Sequence, residues 1–265
     1  MQAFRGLESQ SVTAADHTRE LLGVEIAVLD YEAELSRIEA MVAAGEPGYF
    51  CHAAVASLMN ARRDPAAMAA LRGSTMTVPD GMPVVWALRA LGERIEDRVY
   101  GPDLMLMACE RLLPSGTGHF LYGGRDAGAT AALEEGLRRR FPGLRIAGSR
   151  TPPFGELSPG ESRELAEAID ASGAGVVWVG TGSPRQEKWM LRMRPQLRAP
   201  VLVGVGAAFD FHSGRVPQAP PWMQRHGLEW LHRLSREPRR LGPRYLRDNP
   251  AFLAAFLRQW LAERG

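Results

Sequence analysis

Short, unbroken apolar runs alternate along this chain with longer stretches of helical periodicity, and few architectures accommodate both. The strand-like runs are Val24 to Leu29, Tyr49 to Val55, Thr75 to Val78, His119 to Tyr122, Arg145 to Gly148, Val176 to Gly180 and Val201 to Val205. Most are continuously apolar rather than alternating, which is how strands buried on both faces read. Helical patterns separate them at Tyr31 to Ala44, Ser57 to Leu71, Met82 to Leu91, Asp103 to Leu112, Ala127 to Arg140, Gly160 to Ala171 and Pro184 to Met193. The order predicts an α/β fold, a parallel sheet flanked by helices.

The pattern fails at both ends. Residues 1–20 show no apolar period and read as a loose leader. Residues 21–214 carry the alternation. Beyond Gly214 come Pro217, Pro220 and Pro221, then a helix expected over Trp222 to Arg236, a break at Pro238 and a last amphipathic helix over Pro250 to Ala262. Residues 215–265 therefore read as a helical appendage, whose plainest role is to cap a sheet edge. That segment holds ten arginines against Glu229, Glu237, Asp248 and Glu263, a net of +6, so the first 214 residues sum to −4 within a total of +2. Trp222, Trp230 and Trp260 lie there too. The combination suggests an anionic partner met at a surface. Lys188 is the only lysine, so part of the arginine count is coding habit.

At 45% hydrophobic and 23% charged residues the chain can bury a core, which excludes a disordered protein. Cys51 and Cys109 are the only cysteines, and no secretory signal precedes them, so a disulfide scaffold is excluded and a reducing cytoplasm is the default. The longest apolar stretches, such as Val201 to Phe209, fall far short of the ~20 residues that span a bilayer. The chain should be soluble or peripheral.

Ligands of parallel sheets sit where strand ends lead into helices. Here such junctions read Pro79-Asp80-Gly81-Met82-Pro83, Tyr122-Gly123-Gly124-Arg125-Asp126, Gly180-Thr181-Gly182-Ser183-Pro184-Arg185-Gln186-Glu187 and Gly204-Val205-Gly206-Ala207-Ala208-Phe209-Asp210. Each glycine loop alone fits tight strand–helix packing; together they point to a nucleotide or phosphate ligand. Neither Gly-x-Gly has the third glycine of a dinucleotide fingerprint, and no Gly-Lys-Ser/Thr occurs. Asp80 fits either a helix N-cap or a general base. Arg98 reads as a surface charge or a phosphate clamp, and its spacing to Gly101 favours the clamp. Cys51 and His52 sit in an apolar strand and read as core. No Cys/His cluster has metal spacing and no Asp-x-Asp occurs, so any diphosphate must be neutralised by arginines and backbone amides.

Eight segments in order carry a resemblance. They are Pro79 to Met82, Arg98 to Leu104, Leu121 to Gly124, Gly182 to Glu187, Gly204 to Asp210, Ala219-Pro220-Pro221-Trp222-Met223-Gln224-Arg225, Gly227-Leu228-Glu229-Trp230 and Glu237-Pro238-Arg239-Arg240. From about Leu22 to Leu257 the chain closely resembles the WecG/TagA/CpsF family of bacterial glycosyltransferases. The resemblance implies a Rossmann-like, inverting, metal-independent transferase with no cofactor. Such enzymes move a sugar, a hexose or an N-acetylhexosamine, from a UDP-sugar to a monosaccharide on polyprenyl diphosphate, at the inner face of the cytoplasmic membrane. They serve exopolysaccharide or cell-surface glycan synthesis, and self-association occurs among them. By position, Asp80 is the implied base, Arg98 a diphosphate contact and Gln186 a donor contact. Asp103, Tyr122, Gly123, Gly124, Gly182, Arg185, Gly206 and Asp210 are the implied pocket walls, with Arg225, Arg233 and Arg236 closing from the appendage.

One stretch departs from the family. Members carry a Thr-x-Asn or Ala-Asn pair where this chain reads His52-Ala53-Ala54. Ala54 replaces the asparagine and His52 stands at the threonine, so His52 becomes a candidate substrate contact. The Asp80-Gly81-Met82-Pro83 and Tyr100-Gly101-Pro102 variants look most like the exopolysaccharide branch. Against the enzyme reading stands a UDP-sugar-binding protein with weakened turnover. An NAD(P) oxidoreductase lacks its third glycine and its ribose-binding acid. A nucleic-acid role ranks below membrane association, because the tail's arginines alternate with Trp and Leu at helical spacing.

Overall fold

The computed structural model describes residues 17–225 and 227–265. All but the last few positions of the expected leader lie outside the described residues, and residues 18–20 belong to a strand. That strand, β1 (Thr18–Leu21), pairs antiparallel with β2 (Val24–Ala27) across a two-residue turn in which Leu22 and Gly23 both have positive φ. A turn of that hand matches strand twist. It also removes β2 from the parallel set to which the sequence assigned it, because its partner is the segment just before it.

The remaining strands form one six-stranded parallel sheet in the order β4-β3-β8-β7-β5-β6, with β3 (Gly48–Ala53), β4 (Met76–Pro79), β5 (Gly118–Gly123), β6 (Ile146–Arg150), β7 (Ala174–Gly180) and β8 (Val201–Gly204). The helices are α1 (Tyr31–Ala44), α2 (Val55–Arg63), α3 (Pro65–Arg72), α4 (Met82–Ala90), α5 (Gly101–Arg111), α6 (Ala127–Arg140), α7 (Pro159–Ser172), α8 (Arg185–Met193) and α9 (Ala208–His212). Successive strand residues feed opposite layers. Cys51, Tyr122, Val177, Val179 and Leu202 face one core, while Phe50, Leu121, Trp178 and Val203 face the other. Both faces are covered, which is why the strands read as continuous apolar runs. Because every strand points the same way, the ends of β3, β4, β5, β7 and β8 open on one edge of the sheet.

Local chemistry sets the helix limits. Asp30 accepts from the Ala33 amide at 2.9 Å and Gly45, at φ 65°, closes α1. The single helix expected over Ser57 to Leu71 is two, because Pro65 has no amide to continue α2 and Asp64 caps α3 by accepting from Ala66 at 2.9 Å.

The C-terminal segment departs more from expectation. Residues 222–236 do not form one helix: α10 (Pro221–Arg225) and α11 (Glu229–Arg236) flank Gly227 at φ 68°. The expected break at Pro238 is present: α11 ends at Arg236, Glu237 lies between, and Pro238 opens α12 (Pro238–Ala262), which thus starts twelve residues before the expected Pro250, and a first-turn proline loses no hydrogen bond. The helix then runs through Pro243 and Pro250, and packing offsets the ladder bonds they remove. It lies back over the same chain. Gln259 Nε2 donates to Glu20 O and Gln259 Oε1 accepts from Leu22 N, both at 2.9 Å; Trp260 Nε1 donates to Ala90 O at 3.1 Å, and Arg63 pairs with Asp248 at 2.9 Å. Among the described residues no helix is long and apolar enough to cross a membrane.

Candidate active site

Asp80 follows β4 directly, and its amide donates to Ala53 O at 3.1 Å, which carries the ladder one residue past the strand. It does not cap α4. The N-cap is Gly81, and no side chain accepts there. The carboxylate is left for the cavity: Asp80 Oδ1 is buried with no hydrogen-bond partner. Burial pushes its pKa up and nearby Glu229 adds to this, while Arg98 and His52 pull it down.

Around Asp80 lies a cavity of about 150 Å³ whose charged walls include Arg98, Glu229, Arg233 and Arg244. Arg98 Nη2 donates to Glu229 Oε2 at 2.6 Å and Nη1 to the Asp80 carbonyl at 3.3 Å. Its guanidinium sits 4.2 Å from the centroid of the Tyr100 ring, and the Tyr100 hydroxyl donates to the other Glu229 oxygen. Arg98 is thus held flat by a ring and a carboxylate. Arg233 lies 5.7 Å from the Phe211 ring centroid.

His52 is placed elsewhere. Its ring is buried beneath the strand ends, with Nδ1 donating to Gly204 O at 3.0 Å and Nε2 3.2 Å from Glu34 Oε1, itself fully buried on α1. Burial alone would lower the imidazole pKa, but the facing Glu34 carboxylate leaves it raised. The structure therefore does not bring His52 to the cavity wall. Ala54 does line it, as the N-cap of α2 with no side-chain bond.

The glycine loops divide by role. A methyl on Gly180 would stand 2.0 Å from Phe209 Cδ2, and one on Gly123 would stand 2.8 Å from both Phe209 Cε1 and Gly180 Cα. These two glycines serve close packing. Gly182, at φ 79°, meets nothing within 4 Å and leaves its backbone open at the sheet edge. Gln186 joins two loops: its Oε1 accepts from Gly206 N at 3.1 Å and its Nε2 donates to Glu187 Oε1 at 3.3 Å. Gly124, at φ 87°, packs against Thr130, while Tyr122 points inward with its ring 4.4 Å from Trp189. What the Tyr122 loop presents at the edge is backbone.

Three other candidates are engaged within the protein. Arg185 donates to Pro153 O at 2.8 Å, and Asp210 accepts from Arg125 Nε at 3.0 Å. Asp103 accepts from Gln218 at 3.4 Å. Arg236 lines a small neighbouring pocket with Asp210 and Arg233, and of these three only Arg233 also lines the Asp80 cavity. The Arg225 side chain lies outside the described residues. Sequence reasoning assigned no role to Glu34, Glu187, Glu229 or Arg244. Glu34 had one legible signal, a carboxylate on the same helical face as Ile38 and Met41.

The match to known proteins decides the family. The model of the glycosyl transferase WecG/TagA/CpsF family covers residues 19–265. The chain belongs to that family. It is also 31% identical over 198 residues to an N-acetylglucosaminyldiphosphoundecaprenol N-acetyl-beta-D-mannosaminyltransferase of Bacillus spizizenii, an alignment spanning 75% of this chain and 74% of that protein. This WecG/TagA/CpsF glycosyltransferase therefore presents Asp80, three arginines and two further carboxylates, Glu229 and Asp248, at the edge where its parallel sheet opens.

Proposed function

We propose that this glycosyltransferase moves a sugar from a UDP-sugar to a monosaccharide carried on polyprenyl diphosphate, with inversion and without a metal ion. The observation that carries the reading is Asp80: a partnerless carboxylate oxygen, raised in pKa, in a cavity walled by arginines. The relative's name supplies the acceptor class, a diphosphoundecaprenol-linked sugar. Asp80 takes the proton from the acceptor hydroxyl as that oxygen attacks the anomeric carbon from the face opposite the leaving group. The bond to UDP breaks, and the electron pair leaves on the diphosphate. Arg98 and Arg233, with a backbone amide at the Gly182 turn, take up that charge. The +6 tail from residue 215 onward and its tryptophans suit work at an anionic membrane surface.

The test is UDP release from purified protein with UDP-glucose, UDP-ManNAc or UDP-glucuronate and short-chain lipid-diphosphate sugars, in EDTA, beside Asp80→Asn. Acceptor-dependent release that survives EDTA and collapses in the variant is the expected result. UDP binding without turnover for any pair would favour a nucleotide-sugar-binding protein, with Ala54 the first position to revert to asparagine. No UDP binding would overturn the reading.

A further inference from the structure

A second groove opens beside the Asp80 cavity, between α4 and α12. It encloses about 360 Å³, within the ~300–1,000 Å³ of small-ligand pockets. Its walls are almost wholly apolar: Trp86 from α4, Trp230 from α11, and Phe252, Leu253 and Phe256 from α12, with Asn249 the one polar side chain. Trp86 is 49% exposed and Leu253 56%, so α4 and α12 leave large apolar side chains uncovered on facing walls.

Two observations say what fits there. The groove is continuous with the cavity, since Val55, Pro83, Trp230 and Asn249 border both. Polarity also changes abruptly at that boundary. On one side stand Asp80, Arg98, Glu229, Arg233, Arg244 and Asp248; on the other are aromatic and aliphatic walls with no charge. Glu229 is held by Arg98, and Asp248 by Arg63 and Arg247, which leaves Arg233 and Arg244 to meet an anionic head joined to a hydrocarbon tail in one molecule. We infer that the α4–α12 groove holds the first isoprene units of the acceptor's own lipid tail, drawn out of the bilayer while its diphosphate meets the arginines and its sugar reaches Asp80. This inference rests on the acceptor class proposed above. A membrane acyl chain would gain nothing from a groove that ends on a buried carboxylate, whereas a tethered acceptor gains register along the whole path.

The experiment compares binding of farnesyl diphosphate and inorganic diphosphate to the full-length protein by calorimetry, for wild type, Trp86→Ala and Leu253→Gln. Both positions are half exposed, so the variants keep the core. Wild type should bind farnesyl diphosphate at least about tenfold tighter than diphosphate, because the tail removes apolar surface from water. Each variant should lose roughly that factor for farnesyl diphosphate and none for diphosphate. Equal affinity for the two probes in wild type, or no loss in either variant, overturns the inference. Variants that keep farnesyl diphosphate but lose binding to anionic phosphatidylglycerol vesicles, or that change sedimentation alone, also overturn it, by making the groove a membrane contact or a contact between copies. The two readings separate cleanly. If the tail effect appears and Asp80→Asn still transfers sugar, the groove stands and the proposed base falls; if transfer behaves as proposed but the tail is irrelevant, the groove falls alone.

Discussion

Arg98 and Glu229, 131 positions apart, meet at 2.6 Å, so the helical C-terminal segment supplies the counter-charge to an arginine of the sheet edge. Both side chains are nearly buried, at 11% and 6% exposure, and the Tyr100 hydroxyl completes the set. An anionic ligand that reaches Arg98 must therefore compete with, or displace, Glu229. Removing one member of a buried pair strands the other. Glu229→Ala should cost about 3–5 kcal/mol of stability, read from urea midpoints, while Glu229→Gln, which keeps the acceptor for Tyr100, should cost less. Equal midpoints for wild type and Glu229→Ala would show that the pair carries no weight in the fold.

Asp80→Asn removes the proposed base but keeps the shape. Transfer should fall by roughly 10²–10⁴-fold, the usual contribution of a positioned general base, with donor affinity little changed. The measurement is kcat beside the equilibrium binding of UDP.

Asp80 must be ionised to accept a proton, and burial raises its pKa. If Asp80 is the base, activity should therefore climb with pH through an acid limb displaced upward from that of an exposed aspartate. Arg98 pulls that pKa down, so Arg98→Gln should move the limb to higher pH as well as weakening turnover. A limb that stays put in the variant, by kcat/KM against pH, would detach Arg98 from the ionisation of Asp80.

Glu187, buried behind Gln186, has its pKa pushed up by burial to about 7. The folded protein holds that proton more tightly than the unfolded chain does, so stability is full below the unfolded value near 4.5 and declines as pH rises towards 7. The loss should reach on the order of 3 kcal/mol. Glu187→Gln should flatten the decline, which thermal melts at pH 5 and pH 8 would reveal.

Gly180→Ala sets a methyl 2.0 Å from Phe209 Cδ2, beside the Gly180 and Gly123 backbones that already crowd that ring. The cost should be about 1–3 kcal/mol from overpacking. Gly182→Ala has open space around its Cβ but must adopt φ 79°, costing about 1 kcal/mol through backbone strain instead. Urea midpoints for the two variants, with the Phe209→Leu background relieving only the first, separate the causes.

Much of the fold was legible because strands buried on both faces leave a local mark. The runs at Val176 to Gly180 and Val201 to Val205 lie within two residues of observed strand ends, and α1 and α6 begin and end where their caps predict. Asp80, Arg98 and Gln186 stood out from resemblance and from their places at strand–helix junctions. The prolines misled. The break at Pro238 is real, but the last helix starts there and not at Pro250, because local rules place a proline in a first turn whereas Pro243 and Pro250 lie inside α12.

The sequence by itself determined the class of fold and the family, and it marked the sheet edge that carries the Asp80 cavity, since each depends on short-range patterns or ordered motifs. Tertiary structure alone decided which charges meet. His52 turns to Glu34 beneath the strands, Arg98 is held by Glu229, and Arg233 reaches the cavity while Arg236 does not. Such pairings join residues tens to more than a hundred positions apart, and nothing periodic in the chain marks them. They follow from how helices dock on a sheet, which is settled by burial of apolar surface summed over the whole molecule.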